Sequence, residues 1–147
     1  MKKRISIICA ALISAVMLSL AGCSQQEKQT DYKDGVYTGK SSVHQSDEDG
    51  NGSGYGETEI EIKNNKIVSC TFTTYEPDGT LKDESYGSEF SKENRLKAQK
   101  AVQASTKYGS MLVSKGSVDE VDAISGATIS YEEFKEAVED ALKKAEK

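Results

Sequence analysis

The sequence predicts a single small α+β domain in which an antiparallel β-sheet packs with two or three α-helices. Residues 57–74 contain two alternating stretches that are typical of paired strands. Residues 92–113 and 130–145 instead repeat apolar side chains at helical spacing. No internal repeat is visible in the 147 residues, so the chain is expected to contain one copy of this domain.

The N-terminal stretch predicts export and lipid attachment. Three basic residues at positions 2–4 precede an apolar run from Ile5 to Leu20, which is shorter than the roughly 20 residues that a membrane-spanning helix needs. The Leu-Ala-Gly-Cys sequence that ends at Cys23 resembles the lipobox of bacterial lipoproteins, in which cleavage leaves the cysteine lipidated at the new N-terminus. An uncleaved membrane helix is the alternative interpretation.

This N-terminus divides the chain into three segments. We expect a lipoprotein signal peptide over residues 1–22, a polar tether over residues 23–30 that begins at the lipidated Cys23, and one domain over residues 31–147. Two acyl chains on Cys23 would hold the domain on the extracytoplasmic face of the cell membrane, because each buried methylene contributes about 0.8 kcal/mol.

Composition argues against several kinds of partner and site. The formal net charge is −5, and removal of residues 1–22 takes away three basic side chains and no acidic one. Such an acidic domain is a poor ligand for nucleic acid. Cys9 belongs to the signal peptide, so Cys70 is left without a disulfide partner and is expected to be a small core residue. The single histidine, His44, is expected in a solvated loop, and no metal site is predicted.

Two early segments are predicted as a strand and a loop. Residues 36–38 form a plausible first strand, and the polar residues 41–54 are typical of a loop or hairpin tip. Acidic residues at positions 47–49 lack the twelve-residue spacing of an EF-hand, so no calcium site is expected there.

The strand register of the hairpin at residues 57–74 is predicted from the requirement that the apolar faces of both strands lie on the same side of the sheet. A loop of three residues over 64–66 would place Ile62 opposite Val68. The same register pairs two further apolar or small positions on each strand: Ile60 with Cys70 and Thr58 with Phe72.

The segment after the hairpin is predicted from turn and helix signals. Glu-Pro-Asp-Gly at residues 76–79 indicates a type I turn, and residues 80–86 are expected to continue the sheet. A helix over residues 92–113 is expected to be capped by Ser91, although Gly109 is a possible break. Its apolar side is predicted to consist of Leu96, Ala101, Val102, Ser105, Tyr108, Met111 and Leu112.

The strongest helix signal starts at Ser130, whose hydroxyl would cap the helix while Glu133 completes a capping box. Thr128 should then lie just outside a helix N-terminus, where unpaired amides favour an anion such as a phosphate. No neighbouring Lys, His or Cys is available to activate the Thr128 hydroxyl, so chemistry is expected to be done to Thr128 and not by it. A loop with an ordinary N-cap is the alternative.

Residues 122–130 read Asp-Ala-Ile-Ser-Gly-Ala-Thr-Ile-Ser. This stretch resembles the flavinylation motif of the FMN-binding domain family, and the similarity extends to residues 54–56 and 34–39. In that family the threonine of Gly-Ala-Thr carries FMN through a phosphoester bond, which a magnesium-dependent FAD:protein FMN transferase installs. The resemblance implies these cofactor-binding residues: Asp122, Ile124, Ser125, Gly126, Ala127, Thr128, which carries the FMN, and Ser130.

The flavin ring also needs a flat apolar or aromatic surface. Tyr55, which lies between two glycines, is the sequence candidate for that surface, and a tyrosine that merely packs on the sheet is an equally good interpretation.

The resemblance implies an electron carrier with no catalytic residues of its own. FMN would relay electrons between a membrane donor, a quinol or a flavoprotein dehydrogenase, and an extracytoplasmic acceptor, and the transferase would be a further partner. No obvious His or Cys is available as an acid or base beside the ring, so a stand-alone flavoenzyme is the weaker expectation and the enzyme question stays open. A non-redox, ligand-binding surface lipoprotein is the other alternative.

Overall fold

The computed structural model describes residues 30–45 and 52–147. The predictions for the signal peptide, for Cys23, for all but the last residue of the tether and for the acidic residues 47–49 lie outside these described residues.

The sheet contains three antiparallel strands in the order β1-β2-β3: Gly35–Lys40, Tyr55–Lys63 and Lys66–Tyr75. Two long helices, α1 (Lys92–Lys115) and α2 (Thr128–Ala145), follow the strands in sequence. The α+β class predicted from the sequence is confirmed.

Strand β2 buries one face and exposes the other, because successive side chains of a strand point to opposite faces. Ile60 is fully buried and Ile62 is 1% exposed, whereas Glu57, Glu59 and Glu61 alternate with them on the opposite face. The helices therefore cover the isoleucine face of the sheet.

The β2–β3 turn differs from the prediction. Asn64 and Asn65 form a two-residue turn in which both residues have positive φ, 50° and 61°, as the tightest hairpin turns require. Ile62 pairs with Ile67 instead of Val68, and an irregularity of register between Glu61 and Ile62 restores the predicted pairs further along, such as Ile60 with Cys70. The bulge thus aligns the two apolar faces without a longer loop.

Residues 80–86 do not continue the sheet as predicted. The turn at residues 76–79 is present, with the Gly79 amide donating to the Glu76 carbonyl at 2.9 Å, but only Leu81 pairs with the sheet, through an isolated bridge to Tyr75. The Asp83 carboxylate then accepts hydrogen bonds from the amide and hydroxyl of Ser85. This local turn competes with strand pairing.

Helix α1 starts where the sequence predicts and continues past Gly109. The Ser91 hydroxyl accepts a hydrogen bond from the Asn94 amide at 3.3 Å, which confirms the predicted cap. Gly109 is buried against β3, where a Cβ would lie 2.3 Å from the Cys70 carbonyl oxygen. The glycine therefore allows α1 to approach β3 closely instead of ending the helix. Leu96 was predicted on the apolar side but is 64% exposed, because the first turns of α1 extend beyond the core.

Aromatic rings join the two helices to the sheet. The Phe72 ring lies edge-on to Phe134, with centroids 5.1 Å apart, and the Tyr108 ring stacks on Phe134 at 5.2 Å. Cys70 is partly buried against this core, as predicted, and burial raises the pKa of its thiol.

The environment of His44 differs from the solvated loop that the sequence suggested. The residue pairs with Gly54 through an isolated antiparallel bridge, and its side chain is only 19% exposed. Its Nε2 atom lies 3.3 Å from the Glu136 carboxylate. Ser42 binds the same carboxylate, so this segment is attached to α2.

Within residues 30–45 and 52–147, no helix is both long enough and apolar enough to cross a membrane.

Candidate functional site

The loop that leads into α2 is a compact turn. The Ala127 amide donates to the Ile124 carbonyl at 2.9 Å, which closes the turn. Between them, Gly126 has a φ of 82°, in the left-handed region that glycine adopts without steric cost. Asp122 and Ser125 are exposed on the outer side of this loop.

The inner side of the loop is attached to the core by Tyr108. The fully buried tyrosine presents its hydroxyl to the loop, where it accepts from the Ile124 amide at 3.1 Å and donates to the Ala127 carbonyl at 3.3 Å. Burial raises the pKa of this hydroxyl, which therefore keeps its proton for the second bond. Helix α1 thus fixes the position of the residue that precedes Thr128.

Helix α2 begins three residues earlier than predicted, at Thr128, with Ala127 instead of Ser130 at the N-cap position. The first intrahelical hydrogen bond joins the Tyr131 amide to the Ala127 carbonyl at 3.0 Å. Ser130 therefore does not cap the helix, and Glu133 does not complete a capping box. The reason is that the turn at Gly126 and the Tyr108 hydrogen bonds already set the chain into its helical direction before Ser130.

The helix N-terminus carries no side-chain cap. The amides of Thr128, Ile129 and Ser130 belong to the first helical turn and have no intrahelical acceptor, so they favour the binding of an anion at this end of the helix. A Cβ on Gly126 would lie 3.8 Å from the Lys100 ammonium nitrogen, which puts a cation beside the same loop. The exposed Thr128 side chain therefore lies where a phosphate would be stabilised.

A groove that we call the Thr128 cleft opens beside this residue, between α1, the start of α2 and residues 82–90. It encloses about 50 Å³, far less than the roughly 300–1,000 Å³ of a pocket that encloses a small molecule. Its lining residues in these three segments are Lys82, Tyr86, Phe90, Asn94, Lys97, Ala98, Ala101, Val102, Thr128, Ile129, Ser130 and Glu133, and Thr74 from β3 adds to them.

Glu133 and Lys82, two of the ionisable groups that line the Thr128 cleft, have opposite charges and shifted pKa values. Glu133 is 1% exposed, and burial raises the pKa of its carboxyl, although the nearby Lys82 and His44 oppose that effect. Burial also lowers the pKa of Lys82, against the attraction of Glu133 and Glu76. Each group therefore favours its neutral form more than it would in water.

The structure does not bring Tyr55 to this cleft. Its ring stacks on Tyr75 with centroids 5.3 Å apart, and the Lys40 ammonium lies 3.6 Å from the ring centroid. The next residue, Gly56, is on the face that packs against Phe72 and the Glu133 side chain of α2. Successive residues of a strand point to opposite faces, so Tyr55 lies on the face of the sheet away from the helices. The aromatic side chains in the cleft are instead Tyr86 and Phe90, whose ring centroids are 5.7 Å apart.

The remaining motif residues lie together at the helix end. Gly126, Ala127, Thr128 and Ser130 line the cleft or border it, and Ile124 packs partly against the core. Sequence reasoning considered Tyr86 beside Tyr55 for the ring but missed Lys82, Phe90 and Lys97 in the cleft and Lys100 beside Gly126. No motif marks them, because only the fold brings residues 82–100 beside Thr128.

No group of three or more His, Cys, Asp or Glu residues that could hold a metal ion occurs among the described residues.

The chain forms a small α+β domain in which the N-terminus of α2 has no side-chain cap. The FMN-binding domain family matches residues 51–143, which is more than half of the 147 residues, and the chain belongs to this family. FMN is therefore its cofactor. The exposed Thr128, the free amides and Lys100 fit the phosphate of FMN, and Tyr86 and Phe90 offer an aromatic surface for its ring.

Two solved structures resemble this chain. A crystal structure of a protein from Clostridium perfringens is 23% identical, covers 78% of this chain and 88% of its own, and superposes with a TM-score of 0.56, which supports the fold. A solution NMR structure of a protein from Clostridium thermocellum is 27% identical, with 78% and 93% of the two chains covered and a TM-score of 0.43. No curated protein matches the sequence.

Proposed function

We propose that the protein is an electron carrier that holds FMN through a phosphoester bond to Thr128. The observation that carries this proposal is the position of Thr128, an exposed residue at the first position of α2, beside amides that no side chain caps. A phosphate on the Thr128 hydroxyl would receive hydrogen bonds from these amides and would lie near the Lys100 ammonium. Both interactions favour the phosphoester over the free hydroxyl.

The flavin ring supplies reversible electron transfer, and the protein supplies its attachment and surroundings. The Thr128 cleft is too small to enclose a tricyclic ring, so the ring would rest over Tyr86 and Phe90 with one side open. Phe90 is 42% exposed and is available for such a contact. An open ring suits a carrier, since donor and acceptor proteins must approach the flavin in turn.

Attachment requires a partner enzyme, for which we propose an FAD:protein FMN transferase. No Lys, His or Cys is adjacent to Thr128 in the motif, so we propose that the transferase activates its hydroxyl. Asp122 and Ser125 are exposed at the same loop and are available to that enzyme. The Tyr108 hydrogen bonds hold the loop in one conformation for recognition.

We further propose that Cys23 carries the lipid that holds the domain on the extracytoplasmic face of the cell membrane. The tether that follows Cys23 would let the flavin reach a membrane donor, either a quinol or a flavoprotein dehydrogenase. An extracytoplasmic protein would then accept the electrons. The support for this location is the lipobox in the sequence.

The test is to purify the full chain from cells with and without the transferase. We expect protein from cells with the transferase to be yellow, to keep its flavin after acid precipitation, and to cycle repeatedly between dithionite reduction and ferricyanide oxidation. Protein made without the enzyme should be colourless. If the protein stays colourless in both hosts, the alternative of a non-redox ligand-binding lipoprotein replaces this proposal.

A further inference from the structure

Glu133 is a buried acid for which the fold provides no hydrogen-bond partner at one oxygen. The residue is 1% exposed, and its Oε1 atom has no hydrogen bond within residues 30–45 and 52–147. It nevertheless lines the Thr128 cleft, five residues after Thr128 on α2. A buried carboxyl that lacks a partner destabilises a fold, so its presence beside a cofactor site calls for a functional reason.

Charged groups from several elements act on Glu133 in opposite directions. Lys82, from the segment after β3, and His44, from the segment before β2, favour its ionised form, whereas Glu136 on α2 disfavours it. Lys97 from α1 and Tyr86 line the same cleft. Lys82 is itself partly buried, with its ammonium 5.1 Å from the centroid of the Tyr86 ring. One more negative charge in this cleft would therefore shift the balance toward the protonated acid.

Reduction of a flavin supplies such a charge. We propose that Glu133 takes up a proton when the flavin on Thr128 is reduced and releases it when the flavin is oxidised again; this inference rests on the proposed function. The donor supplies two electrons and the solvent two protons. One proton forms an N–H bond on the flavin ring, which leaves the reduced ring with one negative charge, and the second forms an O–H bond on the Glu133 carboxylate. The net charge of the site therefore changes less on reduction than it would if Glu133 took up no proton.

This coupling has a consequence that can be measured at equilibrium. Because the effect is reciprocal, a carboxyl that binds its proton more tightly beside reduced flavin makes the reduction potential depend more steeply on pH. Between the pKa values of Glu133 in the two redox states, reduction takes up two protons for two electrons. Outside that range, at pH values where the reduced ring keeps its negative charge, reduction takes up one proton, so the slope of potential against pH changes twofold.

The first experiment compares the flavin-loaded wild type with Glu133→Gln and Glu139→Gln. Glu139 is an exposed residue of the same helix that pairs with Lys135, so its variant is a matched control for the loss of one carboxylate. Flavin loading is first confirmed by mass, and the potential is then measured between about pH 5 and pH 9, a range that begins above the ordinary pKa of a carboxyl group.

At pH values where the reduced ring keeps its negative charge, we expect the wild type and Glu139→Gln to show a range with the twofold steeper slope, and Glu133→Gln to keep the one-proton slope. The same pH dependence in all three loaded proteins would overturn the inference. A wild type that carries no flavin would overturn the proposed function and this inference with it, so the two failures are distinguishable.

The second experiment needs no substitution and covers the case in which Glu133→Gln fails to fold. Carbon-13 carboxyl NMR of the loaded wild type follows the titration of Glu133 and Glu139 in the oxidised and the reduced protein. We expect Glu133 to bind its proton at least about tenfold more tightly in the reduced protein, which is one pKa unit, and Glu139 to be unchanged. Equal Glu133 titrations in the two redox states would contradict the proposal.

Discussion

The hydroxyl of Tyr108 donates a hydrogen bond to the carbonyl oxygen of Ala127 at 3.3 Å, directly before the residue that we propose to carry FMN. The same hydroxyl accepts the Ile124 amide at 3.1 Å. A residue in the middle of α1 thus holds both ends of the turn that sets the start of α2. The position of Thr128 depends on core packing as well as on its own motif.

Tyr108→Phe keeps the ring and removes both hydrogen bonds. We expect it to lower the free energy of unfolding by about 1–3 kcal/mol, since the Ile124 amide and the Ala127 carbonyl lose their partner, and to lower the fraction of protein that receives FMN. Urea unfolding and intact-mass measurement give the two values. Tyr131→Phe is the control, because the Tyr131 hydroxyl makes no hydrogen bond with the described residues. Equal flavin loading of Tyr108→Phe and the control would show that FMN attachment does not depend on the Tyr108 hydrogen bonds.

Gly126→Ala tests the left-handed turn before Thr128. An alanine at φ 82° is strained by about 1–2 kcal/mol, although its Cβ would have ordinary contacts with Lys100. Gly116→Ala is a matched control, since Gly116 has a φ of 81° at the C-terminus of α1 and open space around it. We expect similar losses of stability in the two variants, measured by urea unfolding, but reduced flavin loading only in Gly126→Ala. Normal loading of that variant would argue against a role for the turn in attachment.

Glu133 makes stability depend on pH in a defined direction. Its folded-state pKa lies above the ordinary value of 4.5 because of burial, so the native state binds more protons than the unfolded state once the pH exceeds that value. The free energy of unfolding should therefore fall as the pH rises from 4.5 through the folded-state pKa of Glu133. In flavin-free protein, urea unfolding at several pH values should show a weaker decline for Glu133→Gln than for wild type. If the free energy of unfolding depended on pH in the same way in both proteins, the folded-state pKa of Glu133 would not be raised.

The sequence identified the elements whose patterns are local. The alternation in residues 57–62 reflects the two faces of β2, and the Ser91 cap depends only on its neighbours, so both predictions were confirmed. The register of the hairpin was only partly correct, because a bulge can compensate for a short turn and leaves no mark in the sequence.

The errors near the site have tertiary causes. Serine is a common helix N-cap, which is why the sequence favours Ser130. The hydrogen bonds of Tyr108, which is 22 residues away, favour an earlier start of α2. Glu133 therefore becomes a buried residue of the cleft instead of a capping partner. Tyr55 was proposed for the ring on its residue type, whereas strand alternation places it on the opposite face of the sheet from the Thr128 cleft.

Cys23→Ser tests the proposed anchor. Loss of the only cysteine in the lipobox should stop acyl labelling and release the protein from the membrane fraction, since two acyl chains supply the attachment. Fractionation after labelling with a radioactive fatty acid measures both effects. Cys70→Ser, which changes a cysteine within the domain, should remain labelled and membrane-bound. Continued membrane retention of Cys23→Ser without any acylation would favour an uncleaved membrane helix.

The most direct test of the central claim is peptide mass spectrometry of protein made with the transferase, with Thr128→Ala and Ser125→Ala as paired variants. We expect the wild-type peptide that contains Thr128 to be heavier by one FMN less one water, with fragmentation placing the added mass on Thr128. Ser125→Ala should retain a modified Thr128, whereas Thr128→Ala should fold normally, because the side chain is exposed, and carry no added mass. Covalent flavin on the Thr128→Ala protein would contradict the account.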